Sequence, residues 1–95
     1  MSENSKITVE VFGALAGYAG TRMLTIRLSE PIPLKTFLKE LETKLPKDFG
    51  SAIQKRSAIL VLINEREISV LDGMNTQVSP GDKVVLLPVS HGGSR

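Results

Sequence analysis

The stretch AILVLINEREISVLDGMNTQVSPGDKVVLLPV, residues 58–89, contains two apolar runs separated by turn-forming residues. The first run, residues 58–63, is unbroken and too short for a typical helix, which predicts a central strand. The second, residues 83–89, follows the turn-forming sequence at residues 79–82 and predicts the last strand of a sheet. Because proline cannot donate to a strand ladder, Pro88 marks the point where this strand ends or lies at an edge.

The residues around these two runs predict further strands. Asn64-Glu65 indicates a tight turn into a short strand at residues 67–70. Near the start of the chain, residues 6–12 alternate between apolar and polar side chains, and residues 21–28 do the same. Such alternation is typical of strands with one buried face. The Gly- and Ala-rich stretch between them, residues 13–20, predicts a loop that joins the two strands as a hairpin.

A helix is predicted between the hairpin and the first apolar run. Five apolar residues follow Pro33 at helical spacing, with charged residues on the opposite side: Leu34, Phe37, Leu38, Leu41 and Leu45. This pattern is typical of an amphipathic helix with one face to bury. Residues 47–57 predict a polar, irregular connection in which Phe49 and Ile53 anchor the chain to the core.

The order of these elements predicts an α+β domain. A single helix after a hairpin can cover one face of a small sheet, which gives two layers. We therefore expect a mixed sheet of four to five strands packed on one helix, with the first and last strands as central neighbours. Residues 6–89 are predicted to form this domain, residues 1–5 a disordered N-terminus and residues 90–95 a flexible tail.

Two of the predicted strands are apolar on both faces, and one helix cannot cover both. Exposed apolar surface commonly marks a partner site, so we expect these strands to bind another protein. The alternative is that the connection around Phe49 and Ile53 covers the second face. The residues assigned to the partner-binding surface are Ile59, Val61, Val85, Leu87, Val89 and His91.

Composition excludes several kinds of site. The chain has no cysteine, which rules out disulfides, thiolate metal sites and a cysteine nucleophile. A net charge of +2 with scattered Lys and Arg argues against nucleic acid. No spacing of carboxylates suggests a metal site, and no apolar run is long enough to enter a membrane. We expect a soluble protein of the cytoplasm that holds no metal or cofactor of its own.

Catalytic residues are hard to find. His91 is the only histidine and lies in the predicted tail, where nothing would position it for acid–base work. The Gly-rich stretch at residues 13–20 lacks the Lys-Ser/Thr ending of a phosphate-binding loop. Gly92-Gly93, by contrast, forms a thin peptide that could enter a narrow channel in another protein. The chain is therefore expected to be a substrate or carrier rather than an enzyme.

The pattern ILVLINEREI followed by SPGDKVVLLPVSHGG resembles the ubiquitin-like sulfur carriers and modifiers with the β-grasp fold. These include the small subunit of molybdopterin synthase, the thiamine-pathway carrier, the ubiquitin-related modifier of tRNA thiolation and the archaeal small modifiers. The similar parts are the strand entering Ile63-Asn64, the Gly81-Asp82 turn, the apolar last strand and the terminal Gly-Gly. With the helix and the opening hairpin, the resemblance covers residues 6–93.

The resemblance implies a chemistry for the tail. In this family an E1-like enzyme uses ATP to adenylate the carboxylate of the terminal glycine. The product becomes a thiocarboxylate for sulfur delivery, or a thioester that an E2-type enzyme passes to lysines of target proteins. Carried over to this chain, Gly93 is the residue that is activated and conjugated, and Gly92 gives it access.

One feature departs from the family pattern, since Ser94-Arg95 follow Gly93 and block its carboxylate. Either a protease cuts between Gly93 and Ser94, or the two residues come from cloning, or the protein does not act as a carrier. Because ubiquitin-type modifiers are made as longer precursors, the leading hypothesis is a modifier processed by a deubiquitinase-like enzyme, for example a zinc metalloprotease. A sulfur carrier is the alternative, and a plain interaction domain with an inert tail is the third.

Overall fold

The computed structural model describes residues 5–54 and 59–89 of the chain. Within these ranges the chain forms three α-helices: α1 (Ala14–Ala19), α2 (Leu34–Lys44) and α3 (Lys47–Gln54). The strands in the same ranges are β1 (Lys6–Val11), β2 (Met23–Arg27), β3 (Ile32–Pro33), β4 (Ile59–Ile63), β5 (Arg66–Glu67), β6 (Gln77–Val78) and β7 (Lys83–Pro88). Two 3₁₀ turns, Ile68–Val70 and Gly73–Asn75, connect β5 to β6.

Five of these strands form one mixed sheet in the order β2-β1-β7-β4-β5. The pair β1 and β7 is parallel, whereas β1–β2, β4–β7 and β4–β5 are antiparallel. This confirms the predicted mixed sheet and the central pairing of the first and last strands. The last strand, β7, is the middle strand of the five.

The core lies between one face of this sheet and the helices. Alternate residues of β1 and β7 point inward, so that Val9 of β1 lies opposite Val84 of β7 and both are fully buried. Helix α2 begins directly after Pro33, whose φ of −65° suits the start of a helix. The apolar face of α2 closes the core with Leu34, Phe37, Leu38 and Leu41, all of which are buried.

Helix α1 corrects the prediction of a loop at residues 13–20. Ala and Leu favour helix, and Leu15 and Ala19 are buried four residues apart on one side of the turn. Gly20 ends the helix in a left-handed conformation, and its N–H donates to the carbonyl of Ala16. The flanking glycines therefore bound a helix rather than open a loop, and β1 and β2 still pair as an antiparallel hairpin.

Helix α3 corrects the prediction of an irregular connection over residues 47–54, and residues 55–57 of that prediction lie outside the described residues. Phe49 and Ile53, the predicted anchors, are indeed buried, at 0% and 2% exposure. Their spacing of four residues places both on one helical face, and Asp48 lies in the first turn, where a carboxylate stabilises the helix dipole. The α+β fold class is confirmed, but the described chain has three helices where one was expected: α3 packs against α2, and α1 packs against α3.

One smaller prediction also fails, and one short strand pair was missed. The strand predicted at residues 67–70 ends at Glu67, because the Glu67 carboxylate accepts the Ser69 N–H at 3.1 Å and starts a 3₁₀ turn. The short pair β3–β6, in which Ile32 lies opposite Val78, was not predicted. Strands of two residues are too short to show any alternation in the sequence.

The predicted turns at residues 64–65 and 79–82 form and are tied together at the start of β7. Asn64 and Glu65 both have positive φ, 52° and 74°, as expected for a tight hairpin turn between β4 and β5. The Asn64 amide donates to the Asp82 carboxylate at 3.0 Å, and its oxygen accepts the Lys83 N–H at 3.0 Å. Asp82 also accepts the Ser79 N–H at 2.8 Å. This network fixes one end of β7, and the tail follows from the other.

Candidate functional site

The root of the tail lies at the end of the middle strand. β7 ends at Pro88, which pairs with Ile59 at the start of β4, and Val89 is the last described residue. His91, Gly92, Gly93 and Ser94 lie outside the described residues, so their predicted roles in activation, processing and binding stay predictions. The structure defines the end of β7, which directly precedes these residues in the sequence.

A close contact between Gly13 and Pro88 shapes this root. Gly13 has φ 60° and ψ −143°, a region of backbone conformation that is essentially restricted to glycine. A Cβ atom built on Gly13 would lie 2.8 Å from Cγ of Pro88, closer than packed atoms approach. The next residue back, Phe12, donates its N–H to the Leu86 carbonyl at 3.1 Å. The β1–α1 turn therefore packs directly against the last residue of β7.

Replacing Gly13 with alanine is expected to lower the free energy of unfolding by about 2–4 kcal/mol. The substitution combines a strained backbone with a methyl group that must displace Pro88. Chemical denaturation measures the change. The matched control is Gly17→Ala in α1, where no atom lies within 4 Å of the added Cβ and helix propensity should raise stability by about 0.5–1 kcal/mol. Equal effects of the two substitutions would contradict the assigned contact.

The second part of the site is the outer sheet face, the side of the sheet away from α2. Residues directly opposite one another in a ladder share a face, so Leu60 lies beside Leu87 and Leu62 beside Val85. These four side chains are only half-buried. Strand alternation adds three exposed side chains to this face: Phe12, Met23 and Val89, at 41%, 52% and 39% exposure. Together these seven residues form an apolar surface that the chain leaves open.

The structure corrects part of the predicted partner-binding surface. Val85, Leu87 and Val89 lie on the outer sheet face, where partner contact stays a prediction. Val61 is only 4% exposed and points into the core, so its assignment to a partner surface was wrong. Ile59 shares the inner side with Val61 and is half-buried beside α3. An unbroken apolar run carries no polar residue to mark its outer side, and choosing the face required the register with β7.

One ion pair lies within the outer sheet face. Lys83 Nζ lies 2.9 Å from the Glu10 carboxylate, and both side chains remain partly exposed. Glu10 lies opposite Val85 in the β1–β7 ladder and opposite Met23 in the β1–β2 ladder. The ion pair therefore separates Met23 on β2 from the apolar side chains of β7 and β4 on the outer sheet face.

The described residues contain neither a cluster of metal ligands nor a membrane-spanning helix. Among residues 5–54 and 59–89, no three His, Cys, Asp or Glu side chains are grouped to hold a metal ion. No helix in these ranges is long and apolar enough to cross a membrane. The site as described thus consists of an apolar sheet face and the root of a tail.

Comparison with known families identifies this arrangement. The sequence model of the ThiS family matches residues 9–93, nearly the whole chain. The chain belongs to the ThiS family. The matched region spans Gly92 and Gly93 and ends before Ser94. No curated protein sequence matches the chain closely enough to be called a relative.

Solved structures place this ThiS-family chain in the ubiquitin-like β-grasp fold. It is similar to Urm1 from Trypanosoma brucei, with 28% identity, a TM-score of 0.78 and coverage of 98% of this chain and 100% of that one. Small archaeal modifier protein 1 from Methanosarcina acetivorans has 23% identity, a TM-score of 0.69 and coverage of 94% and 97%. A structure of the Amycolatopsis orientalis BexX/CysO complex matches with 19% identity, a TM-score of 0.69 and coverage of 92% and 99%. The chain thus belongs with the ubiquitin-like small modifiers and sulfur carriers.

Proposed function

We propose that this protein is a ubiquitin-like modifier made as a precursor. A deubiquitinase-like protease removes Ser94-Arg95, and an E1-like enzyme then joins the Gly93 carboxylate to the α-phosphate of ATP, releasing pyrophosphate. A thiol of the conjugating enzymes then displaces AMP to form a thioester, and an E2-type enzyme passes the acyl group to a lysine amine of a target protein in the cytoplasm, which forms an isopeptide bond and frees the thiol. The observation that carries the proposal is that the family match runs to Gly93, on a tail that follows the middle strand.

The outer sheet face is proposed to bind the activating enzyme. β7 links the docking surface to the reactive tail, because Val85 and Leu87 lie on the outer sheet face and the tail follows from the same strand. Gly93 follows Leu87 by six residues, so its carboxylate can lie at most about 20 Å from the gripped face. An enzyme that holds the face therefore confines the reactive carboxylate to a small volume, which is the entropic advantage of a tethered substrate.

A sulfur carrier is the second candidate. In that role the adenylated Gly93 would accept sulfur as a thiocarboxylate and deliver it to molybdopterin, thiamine or tRNA thiolation. The observation that favours it is that the matched region stops at the second glycine, where carriers of this type end. Both candidates use the same activation step, and they separate only after it.

Mass spectrometry of the protein and its adducts from its own cells tests the proposal. Trypsin cleaves after Lys83 and would leave residues 84–93 attached to any modified lysine. That remnant on other proteins, with Ser94-Arg95 absent, is the expected result. A free form that ends at Gly93 as a thiocarboxylate, without remnants on other proteins, would instead establish the sulfur carrier.

Substitution of Leu87 by lysine is expected to slow activation by the E1-like enzyme roughly thirtyfold. A central interface position loses about 2 kcal/mol when it is replaced by a group that must be desolvated without a partner. The rate of ATP–pyrophosphate exchange, with chains that end at Gly93, measures the effect. Val70→Lys is the matched control, because Val70 is 73% exposed in a 3₁₀ turn and is not part of the sheet. Normal exchange by a folded Leu87→Lys protein would show that the enzyme binds elsewhere.

A further inference from the structure

A groove beside the tail root is not used by the proposed function. It lies between α1 and α3, next to the end of β7, with a volume of about 310 Å³. The residues that carry the argument are Leu15 and Tyr18 of α1, Asp48 and Ala52 of α3, and Ile59 and Pro88. The groove opens on the inner side of β7, whereas the outer sheet face lies on the other side of the strand.

The chemistry of the groove matches a basic side chain. Its walls are mainly apolar, and Asp48 carries the only formal charge among the described residues that line it. Asp48 is exposed, and no ion pair joins its carboxylate to a cation in the described ranges. A long basic side chain can lay its methylene groups along the apolar wall and place its charged end at this carboxylate.

The exposed ring of Tyr18 favours arginine over lysine. Tyr18 is 47% exposed at the groove. A planar guanidinium stacks on an aromatic ring and forms paired hydrogen bonds with a carboxylate, which a lysine ammonium does not match. The hydroxyl of Ser51, also on the groove wall, offers a further acceptor.

We propose that this groove binds an arginine side chain of the E1-like enzyme that activates Gly93. The inference rests on the proposed function and adds a second docking point to it. Pro88 lines the groove while Leu87 beside it lies on the outer sheet face. An enzyme that grips Leu87 from one side and places an arginine against Pro88 from the other holds the root of the tail between two contacts. The direction in which the tail leaves the domain is thereby fixed.

A small probe tests the groove without any activation chemistry. Titration of the ¹⁵N-labelled chain with n-butylguanidinium is expected to shift the amide signals of Leu15, Ala52 and Ile59 in a saturable way. Butyrate and n-butanol, which lack the cation, are expected to shift them less. Asp48→Asn should weaken binding of the guanidinium, and Ser51→Phe should block it by filling the groove. Equal shifts with n-butanol, or shifts confined to the outer sheet face, would overturn the proposal.

Activation kinetics test the same contact with the enzyme. In chains that end at Gly93, Asp48→Lys is expected to raise the KM of the chain in ATP–pyrophosphate exchange roughly threefold to tenfold and to leave kcat unchanged. The introduced lysine repels the arginine of the enzyme and weakens binding of the chain, and it does not touch the adenylation step. Glu40→Lys, the same charge change at an exposed position of α2, should have no such effect. Equal KM values for the two variants would overturn the proposal. If the otherwise unchanged chain ending at Gly93 is not activated, the proposed function fails, and the probe titration still decides the groove.

Discussion

A chain that ends at Gly92 is expected to be inactive both as a modifier and as a sulfur carrier. Its carboxylate would fall about 3.5 Å short of the position that the activating enzyme serves. A displacement of even 1 Å can cost about a hundredfold in rate, so product formation should drop at least that far. The measurement is ATP–pyrophosphate exchange with the E1-like enzyme, together with detection of conjugates or thiocarboxylate in cells.

The matched control is a chain that ends at Gly93. It should be fully active and should bypass the processing protease, because its carboxylate is already free. Both chains should unfold at the same denaturant concentration, since the described core ends before the tail. Conjugates formed by the chain ending at Gly92 would refute the assigned role of Gly93. Full partner binding by a chain ending at Val89, without any activation, would support the plain interaction domain.

Four of the five strands of the large sheet, β1, β2, β4 and β7, could be predicted from the sequence because each carries its own evidence. Residues 6–12 alternate in step with the pleat, and the apolar runs that became β4 and β7 are bounded by turn residues. Asn64 and Gly81 both adopt the positive φ that their turns require. In these segments local preference and tertiary packing agree, which is why pattern alone was sufficient.

The two missed helices carry weaker local evidence. α1 is six residues long and lies between glycines, so its composition is equally typical of a loop. α3 contains Gly50, and among residues 47–53 it buries Phe49 and Ile53, so its sequence signal is a single pair of apolar residues. Helices this short are not stable alone and form because the core accepts their apolar side. Tertiary contacts determine that these two segments are helical, and the sequence pattern of a segment carries no information about its tertiary contacts.

The candidate site also has parts that could be predicted from the sequence and parts that could not. The tail glycines and the apolar character of β4 and β7 are properties of the sequence, and the family match runs through both. Which side of β4 faces outward depends on its pairing with β7, and a shift of one residue exchanges Val61 for Leu62. The Gly13–Pro88 contact joins residues 75 positions apart and depends on the fold alone.

Replacement of Phe49 by alanine is expected to destabilise the domain by about 3–5 kcal/mol. Phe49 is fully buried, and its removal leaves a cavity where α3 packs against α1 and α2. Domains of this size are stable by only about 5–15 kcal/mol, so the variant should be near or beyond the limit of folding at physiological temperature. Denaturant unfolding followed by circular dichroism measures the loss.

Phe12→Ala is the matched control for Phe49→Ala. It removes the same atoms from a side chain that is 41% exposed on the outer sheet face, so it should cost about 1 kcal/mol or less. A large difference between the two variants shows that α3 belongs to the core and that the outer face is free to be buried by a partner. Similar small losses would mean that residues 47–54 contribute little to the core. In that case the groove between α1 and α3 would lose its supporting wall.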